Sequence, residues 1–236
     1  MKAIFRRECE SDFTTMIGYI FMAVCMLVCG VFFTSTNIIG GSASFVSVVS
    51  SVSYALILIT PILTMRSFAE ERKSKADQLL LTAPVSITKI VAGKYFSALA
   101  VLCVTLVVTL VFPIALYIFG NPYWGEIVLG YIGMALLGAT FISIGLFVSS
   151  VTENQLTACI VTMGILFLLW LSDTLIPSLS DNTLYAILSA LSLYGKFSSF
   201  TEGTLNIAAI IYFLTMTTLF LFFTVKAVER RRWSKG

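Results

Sequence analysis

The chain of 236 residues contains no histidine. That removes the side chain that most readily changes charge near neutral pH, and with it the Ser-His-Asp arrangement and most imidazole metal sites. Charge of either sign is scarce. Asp, Glu, Lys and Arg make up 11% of the residues, 58% are hydrophobic and the mean hydropathy is +0.97, whereas a soluble domain is about a quarter charged. So few polar groups cannot cover a water-soluble globule, and a membrane protein is expected. The phosphate-binding pattern G-x-x-x-x-G-K-[ST] is also missing. Gly93-Lys94 and Gly195-Lys196 have neither the upstream glycine nor the following hydroxyl residue, so this chain is not expected to hydrolyse ATP in that manner. The five cysteines, Cys9, Cys25, Cys29, Cys103 and Cys159, lie in apolar runs or near the N-terminus and imply no disulfide framework. Cys25 and Cys29 share a helix face at i, i+4 but lack two further ligands, and read as small core residues.

What is present is long uncharged sequence. Phe13–Met65 and Tyr95–Gly125 carry no charged side chain. Six spans are predicted, at about 14–35, 45–65, 95–119, 127–150, 155–175 and 205–225, each close to the ~20 residues that cross a ~30 Å hydrocarbon core. Backbone groups in lipid need internal partners, so the spans are helices; the alternating polarity of barrel strands is absent. The fold class is an all-α polytopic membrane protein, one transmembrane domain over 1–236. Polar turns are expected at Thr34–Asn37 with Gly40-Gly41-Ser42, at Asn121-Pro122 and at Thr152-Glu153-Asn154. The first run is too long for a signal peptide, follows Glu8, Glu10 and Asp12, and precedes no small-residue cleavage site, so it is expected to be retained. Glu126, Glu153 and Asp173 fall near span ends, which argues against an ion-coupled pump. Asp173, between Trp170 and Ile176, reads as an interfacial carboxylate.

Of the fifteen lysines and arginines, all but Lys196 fall on one side of this topology. The positive-inside rule then places both termini and the connection between the second and third spans in the cytoplasm. The net charge of +3 is no sign of nucleic acid, because the basic tail from Lys226 to Lys235 suits anionic headgroups. Tyr123, Trp124 and Trp170 at one face and Tyr95 and Trp233 at the other suit an aromatic belt.

The connection itself, "RSFAEERKSKADQLLLTAPVS" from Arg66 to Ser86, is dense in charge. No Gly or Pro interrupts Ser67–Leu81, and its residues are mostly strong helix formers. Glu71 with Lys75 and Lys73 with Asp77 are i, i+4 pairs. Leu79, Leu80 and Leu81 form an apolar end, and Pro84 stops the helix by restricting Ala83. Ser86 or Thr88 can cap the next helix. One reading is a solvated loop; the other is a docking element. The leucine triplet and the acidic Glu70, Glu71 and Asp77, which add nothing to topology, favour docking.

"EERKSKADQLLLTAPVS" resembles the signature of type-2 ABC transporter permeases, in which Glu-Glu-Arg is followed by Gly-Thr, Leu-Leu and Pro-Val/Ile-Ser; here Lys75-Ala76 stand where Gly-Thr is usual. "IFRRECESDFTTMIGYIF" is similar to that family's interfacial helix, and "GKFSSFTEGTLNIAAIIYF" resembles the external stretch of its gliding-motility-type (GldF-like) branch. The resemblance implies a six-span permease of an exporter in the bacterial cytoplasmic (inner) membrane. It implies a cytoplasmic coupling helix within 66–86, between the second and third spans, and a short external helix within 176–204. Glu70, Glu71, Arg72, Gln78, Leu79, Leu80 and Pro84 would engage a separate ABC ATPase subunit, which would carry ATP and Mg. This chain would bind no cofactor or metal and have no catalytic residue. Its partners would be that ATPase, a second permease copy or homologue and the lipid bilayer, with no nucleic acid. A non-transporting scaffold that recruits a cytosolic partner is the alternative.

Two further patterns stand out. Leu184, Ile187, Leu188 and Leu191 recur at helical spacing in Asn182–Leu193, a stretch too short to span, and so predict a re-entrant or interfacial helix. Gly130, Gly138, Gly145 and Ser149 share one face of the fourth span. Such small residues let helices approach closely, within the chain or at a subunit interface.

Overall fold

A computed structural model describes residues 2–73, 86–119, 122–175 and 192–234. All regular structure among them is helical, and six helical stretches are long and apolar enough to cross a membrane: Met16–Ile39, Val46–Glu70, Ile87–Ile118, Trp124–Val151, Gln155–Leu175 and Ile207–Arg231. The helices are α1 (Lys2–Thr14), α2 (Met16–Phe33), α3 (Val46–Thr64), α4 (Arg66–Lys73), α5 (Ile87–Thr109), α6 (Val111–Phe119), α7 (Trp124–Val151), α8 (Gln155–Leu175), α9 (Leu193–Thr201) and α10 (Ile207–Ser234).

One boundary differs from the one the sequence suggests. The polar stretch at Thr34 does not end the first span: α2 continues as a π-helical turn over Thr34–Ile39. Thr36 donates its hydroxyl to the Phe32 carbonyl at 2.7 Å, so its polarity is satisfied within the helix. The reversal comes later, where Asn37 donates to the Ser42 and Ser44 carbonyls and Gly41 takes φ +64°, a left-handed conformation natural to glycine. The helix of the third span starts at Ile87, directly after the cap candidate Ser86, and so precedes the uncharged run. It breaks at Leu110, where Pro113 cannot donate a backbone hydrogen bond to Thr109.

The fourth span, α7, is the axis of the bundle and packs against α3, α4, α5, α8, α9 and α10. Its most apolar window is 61% buried and that of the second span 56%, against 17% for the fifth and sixth spans. The inner pair is thus enclosed by protein, while the last two spans present most of their surface outward. Small residues explain the position of α7. A Cβ at Gly138 would stand 2.6 Å from Cδ2 of Leu102 on α5, and one at Gly130 3.2 Å from Cγ1 of Val49 on α3. At Gly145 it would collide with Thr64 of α3. The glycine stripe therefore packs within the chain, taking up two different neighbours along its length.

At the end of the bundle away from α4, α9 is the described part of the 176–204 segment. The helix expected over Asn182–Leu193 lies, apart from its last two residues, outside the described residues. Ser192 caps α9 by accepting from the Gly195 amide at 2.9 Å. Asp173, at the end of α8, accepts from the Tyr194 amide at 2.9 Å. Asp173 is thus more than an interfacial charge, because it places a carboxylate at the positive end of α9. The Tyr194 hydroxyl donates to the Ser53 carbonyl at 2.9 Å, and its ring stacks on Tyr54 at 5.2 Å. These contacts tie α3, α8 and α9 together.

Gly145→Val should lower the melting temperature in detergent, since overpacking of this kind costs about 1–3 kcal/mol. Gly164→Ala, where an added Cβ meets nothing within 4 Å, should leave it unchanged or slightly raised. Equal melting temperatures for the two variants would contradict the packing assigned to Gly145.

Candidate functional site

The charged end of the bundle is organised around a bend. Pro61 in α3 has no amide to give to Ile57, which weakens the helix one turn before its end. The chain turns at Met65 and restarts as α4. A helix restarting beside a packed bundle exposes orphan amides, and Ser149 of α7 answers them. Its buried hydroxyl accepts from the amides of Phe68 and Ala69, each at 3.2 Å, and donates to the Met65 carbonyl at 3.2 Å. One donor and two acceptor positions are all a hydroxyl has, and all three are spent on this bend.

The exchange is reciprocal. α7 ends at Val151 with unpaired carbonyls, and Arg72 of α4 donates to the carbonyls of Val151 at 3.0 Å and Thr152 at 2.8 Å. A guanidinium at a helix C-terminus satisfies orphan acceptors and meets the negative end of the dipole. A further N–H of Arg72 reaches Glu153 at 2.6 Å in the turn to α8. Glu153 is largely exposed, so that ion pair adds little. Along α4, Arg66 and Glu70 form a two-bond pair, Nε to Oε2 at 2.6 Å and Nη2 to Oε1 at 2.9 Å.

α1 braces the same region from the other side. It lies on α5, where Gly93 leaves room for Ile4; an added Cβ would stand 2.9 Å from the Ile4 side chain. Lys94, only 2% exposed, donates to Glu8 of α1 at 3.2 Å and stands 5.2 Å above the ring of Phe68 on α4. Ser97 donates to Asp12 at 2.5 Å. Burial is the main cause that holds the Asp12 carboxyl above its ordinary pKa, with the Glu8 charge adding to it. The Ser97 hydrogen bond and the Lys94 and Arg66 charges pull the other way. Between α1, α3, α4 and α5 lies a cleft of about 430 Å³ lined by charged and hydroxyl side chains.

A family profile described as "ABC-2 family transporter protein" matches residues 40–228. The chain belongs to this family of ABC-2 transporter proteins. It is also 32% identical over 99 residues to the probable multidrug ABC transporter permease YbhR of Escherichia coli K12, and to the same degree to YbhR of Escherichia coli O157:H7. The matched stretch is 42% of this chain and 26% of each relative, so the chain covers about a quarter of the relatives it matches.

In this ABC-2 protein the residues singled out by sequence divide into two groups. Glu70 and Arg72 stand on α4, and Glu71 belongs to that helix. Gln78, Leu79, Leu80 and Pro84, and the pairs Glu71–Lys75 and Lys73–Asp77, fall on or reach into 74–85, outside the described residues. Ser86 occupies the N-cap position of α5 with extended backbone, but its side chain makes no capping hydrogen bond. Ser149, Lys94 and the Glu8–Asp12 face were not marked as functional. The one available signal was that Ser149 ends a glycine stripe, where a hydroxyl must face whatever the glycines face.

Two outcomes follow. Arg72→Ala should destabilise the protein in detergent by about 1 kcal/mol, the loss of charge-assisted bonds to partly exposed carbonyls at the end of α7, while Glu153→Gln should have little effect; the reverse order would contradict the capping role. The raised pKa of Asp12 means that the native state holds a proton at pH values where the unfolded chain has released it. Stability is therefore lost as pH rises from the ordinary carboxylate range through that raised value. Asp12→Asn should then melt above wild type in lipid-free detergent at about pH 8, with the gap closing as pH falls to about 4. A gap independent of pH would remove Asp12 as its cause.

Proposed function

We propose that the chain is the membrane-spanning subunit of an ATP-driven ABC exporter in the bacterial inner membrane. In this reading both termini and the segment from Arg66 to Ser86 face the cytoplasm, and that segment docks a separate ABC ATPase carrying ATP and Mg. A second permease copy or homologue completes the substrate path. Membership of the ABC-2 family and the E. coli relative named as a probable multidrug permease support the reading, and "GKFSSFTEGTLNIAAIIYF" favours the GldF-like branch. The observation that carries it is the double cap between α4 and α7. A docking segment can transmit force only if its base is fixed to the bundle, and α4 is fixed to the most enclosed span. Closure of the ATPase pair would push on the Leu79-Leu80 end, and α4 would pass that motion to α7 as one body. Glu70, Glu71, Gln78 and Pro84 then shape the docking end, while Arg72 holds its base.

A tagged copy of this chain should co-purify with a stoichiometric ATPase, identified by mass spectrometry and by nucleotide hydrolysis. Leu79→Asp with Leu80→Asp should lose that partner while the permease remains folded in the membrane. A preparation with no nucleotide-binding partner, or with a partner that hydrolyses nothing, would favour a scaffold over a transporter.

A further inference from the structure

The cleft between α1, α3, α4 and α5 has a composition that anchoring the bundle does not account for. Arg7, Arg66 and Lys94 line it together with Glu8, Asp12 and Glu70, three charges of each sign. Ser11, Thr15 and Ser67 add hydroxyls, and Ile17 and Leu63, at the near ends of the first two spans, give it an apolar wall. Its volume, about 430 Å³, lies within the usual range for small-molecule sites. It is lined by the C-terminal half of α1 and the adjoining ends of α2 and α3.

Several of these groups keep hydrogen-bonding capacity facing the cleft. Arg66 has five N–H donors and gives two of them to Glu70, which leaves three among the described residues. Asp12 accepts from Ser97 through Oδ2, which leaves Oδ1 as an acceptor. Arg66 also lies near enough to Asp12 for its charge to act on the carboxyl. An anion-binding group and a cation-binding group thus line the same cleft, Arg66 on α4 and Asp12 on α1. The lining charges cancel, so a simple anion or cation would gain little. A small zwitterion would satisfy both groups at once.

We propose that this cleft is a binding site for a phosphoethanolamine headgroup, with Arg66 taking the phosphate and Asp12 the primary ammonium. The primary amine matters because it offers N–H donors to Oδ1, which a trimethylated choline cannot do. The cleft lies beside the ends of α2 and α3, so the expected source is phosphatidylethanolamine from the adjoining leaflet. Bound there, the headgroup would bridge α1 to α4 and so brace the bend from its open side. The inference depends on the six spans and not on the transporter reading, and each can fail without the other.

The test is native mass spectrometry of the full chain in detergent, with phosphatidylethanolamine, phosphatidylcholine and phosphatidylglycerol of matched acyl chains added at equal concentration. The ethanolamine lipid should be retained about tenfold better than the other two, the equivalent of one charge-assisted hydrogen bond. Arg66→Gln and Asp12→Asn should each abolish that preference, while Arg6→Gln, on the exposed side of α1, should keep it. Should the first two variants misfold, Ser11→Leu, which narrows the cleft without touching an ion pair, should also remove the preference. Soluble glycerophosphoethanolamine, titrated as competitor, separates the sources of the same chemistry. Weak displacement marks the lipid as the occupant, and displacement as strong as that by the lipid marks a soluble phosphoester. Equal retention of the three lipids by wild type, or a preference that survives Asp12→Asn and Ser11→Leu, would overturn the proposal.

Discussion

The charged end of this molecule depends on two helices that cap each other. α4 begins at a proline-weakened bend, where its first amides would otherwise lack partners, and Ser149 of α7 supplies them. α7 ends with carbonyls in the same condition, and Arg72 of α4 supplies their donors. Each helix satisfies the other's terminus, so neither can move away without uncovering polar backbone groups. The Phe68 and Ala69 amides are buried, and leaving such a group unpaired costs about 1–3 kcal/mol. That cost is what makes α4 an extension of the bundle.

Small residues make the exchange geometrically possible. Gly145 brings α7 against Thr64, at the last turn of α3, and Ser149 follows one turn later with its hydroxyl at the bend. Lys94 works from the opposite side, with its ammonium against Glu8 of α1 and above the Phe68 ring of α4. A buried lysine is expensive to desolvate unless paired, and here one pairing joins three helices. In the proposed mechanism these contacts set the stiffness of the path between a docked ATPase and the spans. At the far end, Asp173 and Tyr194 join α3, α8 and α9 in the same manner, by a carboxylate at a helix N-terminus and a hydroxyl on a backbone carbonyl.

Sequence made the spans legible because lipid imposes a single rule, that charge stays out of long apolar runs, and that rule shows in composition. The start of α5 was visible only as the cap candidate Ser86, ahead of the uncharged run. Lys89 and Lys94 interrupt the run, yet the helix continues through both because one is exposed and the other is buried with a partner on α1. The continuation of α2 through Thr34 was hidden for a related reason, since threonine reads as a turn residue but can return its hydroxyl to its own helix. Ser149 was visible only as one more small residue. Its role comes from meeting a bend more than eighty positions earlier in the chain, and no local pattern reports that. Glu70 and Arg72 stood out as unusual charge, and within the chain Arg72 meets the end of another helix.

The central claim is that Ser149 holds the base of the Arg66–Ser86 segment, and amide hydrogen exchange of the α4 backbone tests it most directly. In wild type the Phe68 and Ala69 amides should exchange slowly, with protection approaching that of the enclosed α7. In Ser149→Ala those amides should exchange much faster while α7 upstream of Gly145 stays protected. Unchanged protection of Phe68 and Ala69 in that variant would contradict the account, because the amides would then be held by something other than the hydroxyl that faces them.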